Sequence, residues 1–335
     1  MKKYLFFISI FFISCQDEIT LDLPQAENKL VIEGAIENGF PPYIIITKNQ
    51  GYFDEISIDT YSNLFVNDID SVKIWYYSEG LKVSKILEQI IGLDSLPPIY
   101  TDLSYFNNTD NYEFSKVGRT YFLEIKWNDQ IITSETTIPT PTPLDCLWVE
   151  QSETADKEFK CDIRALYSDP AEVQNNILIK SKRIQHYERK DSLDCNVENK
   201  PDFSLKLIDS GTDVLINGQS FETYFPRPKE RGFPTGAYNS YHTKECDDGS
   251  TLEFNEDVVL IKFCQIDEPS MKFWRGLVRQ VGTNGNPFAE PMNLLSNING
   301  GLGIFTGYGA VYYKVPIIEN TTILDTIRPK ITDIF

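Results

Sequence analysis

Histidine is the scarcest catalytic resource in this chain of 335 residues, which has only His186 and His242. Any Ser-His-Asp or Cys-His mechanism must use one of them. Neither a G-x-S-x-G elbow nor an H-E-x-x-H helix occurs. Cations are also in short supply: 31 Lys and Arg stand against 49 Asp and Glu, for a formal charge of −18. So acidic a surface repels phosphate backbones and anionic headgroups, which argues against nucleic acid and polybasic membrane docking. After the opening apolar run, no second run is long enough to cross a bilayer. Between Cys15 and Cys146 there is no cysteine, so the N-terminal third must hold together through its hydrophobic core alone.

What is present begins with Lys2-Lys3, an apolar run over residues 4–13, and Ser14-Cys15. A basic start, a short apolar middle and a small residue before a cysteine make a bacterial export signal with a lipid-attachment site. Residues 1–14 are the expected signal peptide, although Phe12 stands where such motifs usually carry Leu. The competing readings, a membrane anchor or a buried strand, fail on length and on the basic flank. Cleavage would leave Cys15 lipidated at the head of a polar tether, residues 15–28, and would take the formal charge to −20 by removing the two lysines. One acyl chain binds a membrane marginally and two bind it stably, so the anchor would come from a multiply acylated Cys15. Cys146, Cys161, Cys195, Cys246 and Cys264 remain, an odd set that permits at most two disulfides in an oxidising compartment.

From residue 29 the pattern is mainly β. Short β-branched and aromatic runs at residues 30–36, 43–47, 72–77, 81–87, 120–127 and 130–138 are punctuated by Asn38-Gly39, Glu79-Gly80 and Asn128-Asp129. They describe an immunoglobulin-like β-sandwich over residues 29–138. Alternating prolines at 139, 141 and 143 predict a semi-rigid linker over residues 139–143. A larger β domain is then expected over residues 144–318, with a polar tail at 319–335. In it, residues 147–150 and 159–165 read as a hairpin that sets Cys146 opposite Cys161 and puts Trp148, Phe159 and Ile163 on one face. Further strands are expected at 176–187, 203–208, 214–216, 219–225 and 310–315, with Asn217-Gly218 as a hairpin turn. Residues 258–266 form a nearly continuous apolar run, suited to a central strand. One amphipathic helix is expected after Asp267-Glu268-Pro269, with Met271, Trp274, Leu277 or Val278, and Val281 on its inner face and Gly282 at its end. The fold expected is thus two β-sandwich-like domains, the second carrying one helix.

Few residues offer chemistry. His242 and Cys246 have a spacing that zinc could use with Cys195 as a third ligand, but a Cys195–Cys246 disulfide between loops is the simpler reading. Cys146 and Cys161 are either a second disulfide or two core thiols. Gly300-Gly301-Leu302-Gly303 lacks the Lys-Ser or Lys-Thr of a phosphate loop and serves backbone geometry. Asp247-Asp248-Gly249 lacks the alternating oxygens of a calcium loop. Carboxylates are too abundant for a glycosidase pair to be singled out. The aromatic stretches 224–241 and 286–308 could stack on sugars or peptides, or fill the core. No catalytic residue, metal or cofactor is expected, and the chain is read as a non-enzyme.

Several stretches together resemble a known family. The lipid-cysteine signal, the strand Lys29-Leu30-Val31-Ile32-Glu33-Gly34-Ala35-Ile36 with Pro42-Tyr43 after it, and Tyr52-Phe53 are similar to the opening of a Bacteroidota lipoprotein family known as domain of unknown function 4249. Asn286-Pro287-Phe288 and the run from Ser296-Asn297-Ile298-Asn299 through Gly303-Ile304-Phe305 resemble its closing motif. The resemblance implies no activity. It implies a neighbouring TonB-dependent outer-membrane receptor as partner, and Gln16-Asp17-Glu18 resembles the tag that sends such lipoproteins to the cell surface. Asp-Ser-Val, Asp-Ser-Leu and Asp-Thr-Ile matches make Ser71, Ser95, Ser192 and Thr326 O-glycosylation candidates of that phylum, with Ser95 first. The function expected is a surface lipoprotein that serves a TonB-dependent transporter without catalysis, with a small nutrient, peptide or glycan as ligand. The alternatives are an envelope-assembly lipoprotein and, behind it, a surface hydrolase using carboxylates or His242.

Overall fold

The computed structural model describes residues 27–50, 57, 63–90, 97–109, 112–151, 161–187, 204–225, 243–245, 251–283, 293–316 and 321–334. The expected signal peptide, Cys15, most of the tether, Ser95, Ser192, Cys195, His242 and Cys246 lie outside these residues.

The N-terminal strands are β1 (Leu30–Glu37), β2 (Tyr43–Lys48), β3 (Ser71–Ser78), β4 (Leu81–Ile90), β5 (Ile99–Thr101), β6 (Thr120–Trp127) and β7 (Gln130–Thr137). Two hairpins form where the sequence supplies residues that tolerate positive φ. Glu79 and Gly80, at φ 50° and 77°, join β3 to β4, and Asn128 and Asp129, at 48° and 62°, join β6 to β7. Tyr121 ties the loop that leads into β6: its hydroxyl donates to the Phe114 carbonyl at 2.7 Å and accepts from the Lys116 N–H at 2.8 Å.

Next come β8 (Cys146–Gln151), β9 (Cys161–Ser168), β10 (Asn176–Tyr187), β11 (Lys206–Thr212) and β12 (Ser220–Phe225). The chain continues through β13 (Thr243–Glu245), β14 (Thr251–Gln265), helix α1 (Glu268–Thr283), β15 (Leu302–Pro316) and β16 (Thr322–Ile323). One 12-stranded sheet runs β11-β10-β14-β15-β1-β2-β5-β4-β3-β6-β7, with β13 alongside β14, and a 4-stranded sheet runs β12-β9-β8-β16. The chain is thus mainly β, with α1 as its one α-helix among the described residues.

Residues 139–143 do not divide this sheet in two. β1 pairs in parallel with the first half of β15, Val31 opposite Leu302 through Glu37 opposite Tyr308, while the second half of β15 pairs with β14. Alternation then sends the faces of these central strands into three cores. Leu30, Ile32 and Ile36 of β1 join Phe305 and Ile298 in the core of the N-terminal strands. Ala35 joins Ile304, Tyr308, Leu260 and Trp274 under α1. Val259, Ile261, Phe263, Tyr313 and Val315 pack against Leu147, Ile163 and Tyr167 of the small sheet. Burial on both faces explains why β14 and β15 read as nearly unbroken apolar runs.

The proline segment is a packed strap. The Thr142 N–H donates to the Gln265 side-chain carbonyl at 2.8 Å, and the Leu144 N–H donates to the Tyr313 hydroxyl at 2.7 Å. Pro143 between them lacks an N–H, so no donor is left unpaired there.

Three local expectations are corrected. In the β8–β9 hairpin Cys146 stands opposite Leu166 and Cys161 opposite Gln151, so the two cysteines occupy opposite ends of the ladder and cannot pair with each other; Cys146 is a free thiol. The shift is five residues, an odd number, so it also exchanges faces: Val149 and Ile163 point into the core and Trp148 points away. Residues 214–216 form a turn, and β11 and β12 enter different sheets, so Asn217-Gly218 does not close a hairpin between them.

Helix α1 starts as its sequence predicts. Asp267 accepts from the Ser270 N–H at 3.0 Å as an N-cap, while its other oxygen accepts from the Thr136 hydroxyl at 2.6 Å and the Thr137 N–H at 3.2 Å. Met271, Trp274 and Leu277 pack inward as expected, whereas Val281 is exposed and the helix runs one residue past Gly282. Because one carboxylate both caps the helix and clamps β7, Asp267→Ala is expected to cost about 3 kcal/mol, more than an ordinary cap at about 1 kcal/mol. Urea unfolding checks this, and Asp267→Asn should recover part of the loss.

Candidate functional site

The apolar run of β14 contains one lysine, Lys262, between Ile261 and Phe263. The ladder places it opposite Lys180 on β10 and opposite Tyr312 on β15. Alternation turns it to the same side as Leu260 and Cys264, toward the core under α1. Its side chain is 3% exposed, as is that of Glu37, the last residue of β1, and the two form a buried ion pair. The Lys262 ammonium also lies 4.0 Å over the Tyr308 ring. The Tyr312 hydroxyl is buried as well, and the Glu37 carboxylate adds to the burial that keeps it protonated.

Lys180 differs from Lys262 in having no ion pair among the described residues. It is half-buried, with its ammonium 4.4 Å over the Trp274 ring and 5.5 Å from the Tyr308 ring centre. Burial, reinforced by the Lys262 charge and opposed by Glu33 and Glu37, pushes its pKa down to about 8. Near neutral pH a measurable fraction of this amine is therefore uncharged. Burial pushes the Cys264 thiol the other way, up to about 12, and its Sγ donates to the Leu178 carbonyl at 3.2 Å. That thiol is inert, and Tyr43, Tyr308 and Tyr312 are likewise held above the ordinary tyrosine range by burial. Two residues along β10, the buried Lys182 bonds Asp333 near the C-terminus at 3.1 Å.

A second feature lies on the outer face of β3, β4 and β6. Trp75 and Phe122 are directly opposed and stacked at 5.7 Å, Tyr77 meets Phe122 edge-on at 5.9 Å, and the Lys82 ammonium caps Trp75 at 3.7 Å. Tyr77 is 58% exposed, and Ile86, on β4 opposite Lys73, is 68% exposed. The row is a ribbon of aromatic and aliphatic surface on a rigid sheet.

The structure brings few of the residues singled out from sequence together. His186 lies on β10 opposite Glu256, far along the ladder from the lysines, and Cys161 begins β9. Ser71 is the half-buried first residue of β3, while Thr326 is exposed. Of the aromatic stretches, Phe225, Phe305 and Tyr308 fill cores and Tyr224 is exposed. Gly303 and its neighbours serve backbone approach, as expected. Among the described residues no group of three or more His, Cys, Asp or Glu could hold a metal, and no helix is long and apolar enough to cross a membrane. Lys262 was open to detection, since a lysine inside an otherwise unbroken apolar strand must find a buried partner. That Glu37 is the partner depends on a contact between residues 225 positions apart.

No curated protein and no solved structure matches the chain. The family model described as Domain of unknown function (DUF4249) matches residues 16–313, nearly all of the chain that would follow the signal peptide, and covers both the lysine centre and the outer aromatic face. The chain belongs to the DUF4249 family.

Proposed function

We propose that the chain is a lipid-anchored lipoprotein of the outer membrane, facing the cell surface, which docks without catalysis on a TonB-dependent transporter as its accessory or substrate-binding partner. The observation that carries this reading is the outer face of β3, β4 and β6, where Trp75, Tyr77 and Phe122 form a connected aromatic row and the exposed Ile86 lies on the same face. Such rows on rigid sheets, with aromatic residues at the centre and charges such as Lys73, Lys82 and Glu124 beside them, have the anatomy of protein interfaces. Anchoring at Cys15 supports the same reading. Residues 15–29 reach at most about 50 Å at roughly 3.4 Å each, which keeps the body near receptors embedded in that membrane. A pull-down from detergent-solubilised outer membrane is expected to recover the transporter. Tyr77→Glu with Ile86→Glu should cut the recovery at least about tenfold, since buried aromatic anchors carry most interface energy. Recovery of other proteins but no such receptor would sink the partnership.

An envelope-assembly role is the second reading, favoured by a second apolar projection. Leu215 is 90% exposed at the tip of a turn whose base is fixed by Asp213, which accepts from the Asn175 N–H at 2.6 Å and donates its own N–H to the Asn175 carbonyl at 3.1 Å. A growth defect of the deletion strain on one nutrient supports uptake, and general membrane sensitivity supports assembly.

A further inference from the structure

One side of β4 is left open by the ladder. Glu79 and Gly80 form a two-residue turn with positive φ at both positions, so Ser78 and Leu81 exchange the first pair of backbone hydrogen bonds of the β3–β4 hairpin. Alternation then turns the N–H and C=O groups of Leu81, Val83, Lys85 and Leu87 toward β3, and those of Lys82, Ser84 and Ile86 away from it. On that outer side β5 pairs only with residues from Glu88 to Ile90. Past Thr101 the chain leaves the ladder for a 3-10 turn over Leu103–Asn107, which meets β4 through the Lys85 ammonium, bonded to Asp102 at 3.0 Å and to Ser104 at 2.8 Å. Leu81, Lys82, Val83, Ser84 and Ile86 are all exposed, and among the described residues no strand pairs with this edge.

Both faces beside the edge offer apolar surface. Leu81 and Val83 share the inner face with the buried Leu87, yet are 71% and 36% exposed, so the end of the hairpin projects past the core. The outer face brings Ile86 and the aromatic row of Trp75, Tyr77 and Phe122. From Leu81 to Leu87 the strand carries two lysines and no acid, in a chain whose formal charge is −18.

We propose that the open edge of β4 is a strand-addition site, where an extended acidic strand of the partner protein pairs with Lys82, Ser84 and Ile86. Its alternate apolar side chains cover Tyr77 and Ile86 on one face and Leu81 and Val83 on the other. Main-chain hydrogen bonds supply affinity in such pairing, and the side chains flanking the edge supply selectivity. Lysines on an edge disfavour pairing with a second copy of the same strand and favour an acidic one. The inference rests on the reading of β3, β4 and β6 as the docking face, and specifies that the transporter is held there through backbone as well as side chains.

The test compares recovery of the transporter in the pull-down from detergent-solubilised outer membrane. Ser84→Pro removes an outward N–H and no bond to β3, so the melting temperature should stay within about 3 °C while recovery falls at least about tenfold. Ser84→Ala keeps the N–H and should recover the transporter as the parent does. Lys82→Glu should weaken recovery and Lys82→Arg should not. In the recovered complex, hydrogen exchange at the Lys82, Ser84 and Ile86 amides should slow at least about tenfold against the free chain, a readout that holds even where the proline variant is unstable. Full recovery by a folded Ser84→Pro protein, or unslowed exchange at these amides, overturns strand addition. If Tyr77→Glu with Ile86→Glu still cuts recovery in that case, the docking face stands without it. Full recovery by Lys82→Glu overturns the acidic partner strand. A parent chain that recovers no transporter sinks the docking reading and strand addition together.

Discussion

Gly303→Ala is expected to unfold the protein or cost more than about 4 kcal/mol, the largest effect of any single methyl group here. Two costs combine at this position. Its φ is +104°, where an L-residue is strained, and a Cβ would lie 2.0 Å from the Ile32 carbonyl oxygen on the paired strand β1. Other glycines separate these costs. At Gly307 and Gly309 the added carbon would lie 2.3 Å from the Thr137 oxygen and 2.0 Å from the Pro139 oxygen, with no unusual φ. Gly80 has φ +77° and nothing within 4 Å, and Gly211 has neither problem. Alanine should therefore cost about 1–2 kcal/mol at Gly80 and almost nothing at Gly211, with Gly307 and Gly309 closer to Gly303. Urea midpoints of the five variants test the ordering. A Gly303→Ala protein as stable as Gly80→Ala would mean that β15 does not lie against β1 as described. The glycines of β15 are what let β1, the end of β7 and the proline strap approach its backbone, so this strand is the axle on which the two halves of the chain are mounted.

Lys262→Met is the second large effect, expected at about 3–5 kcal/mol, because it leaves the Glu37 carboxylate buried with no cation bonded to it. Glu37→Leu should cost a similar amount by stranding Lys262 beside Lys180. The double variant removes both charges and should recover most of the loss, since apolar groups of similar size often replace a buried pair at little cost. Equilibrium unfolding of the four proteins gives the coupling energy. If the two losses simply add, the pair is not an energetic unit. If the double variant matches the parent in stability, the pair's value lies in specifying how β1, β14 and β15 meet.

The local elements were legible in the sequence wherever a residue type settles the backbone without outside help. Glu79-Gly80 and Asn128-Asp129 closed their hairpins, Asp267 capped its helix, and the unbroken apolar run around Ile261 became the strand between β10 and β15. The β8–β9 hairpin was less legible, because a long polar connection between two short strands does not determine which residues face each other. The lysine centre was half visible. Lys262 in an apolar strand signals a buried charge, but Lys180 lies in a run of mixed polar and apolar residues that looks solvent-facing until α1 covers it.

By itself the sequence determined the mainly β class, the hairpins with positive-φ turns, the amphipathic helix after Asp267, the family and an acidic composition. The tertiary structure alone decided that β1 lies parallel to β15 across some 270 residues of chain, that the prolines strap the two halves together, and that two lysines and one glutamate share a face. The physical reason is that propensity, turns and caps act within a few residues. Pairing of distant strand edges is settled by which apolar faces must share a core, and here three cores meet on β1, β14 and β15.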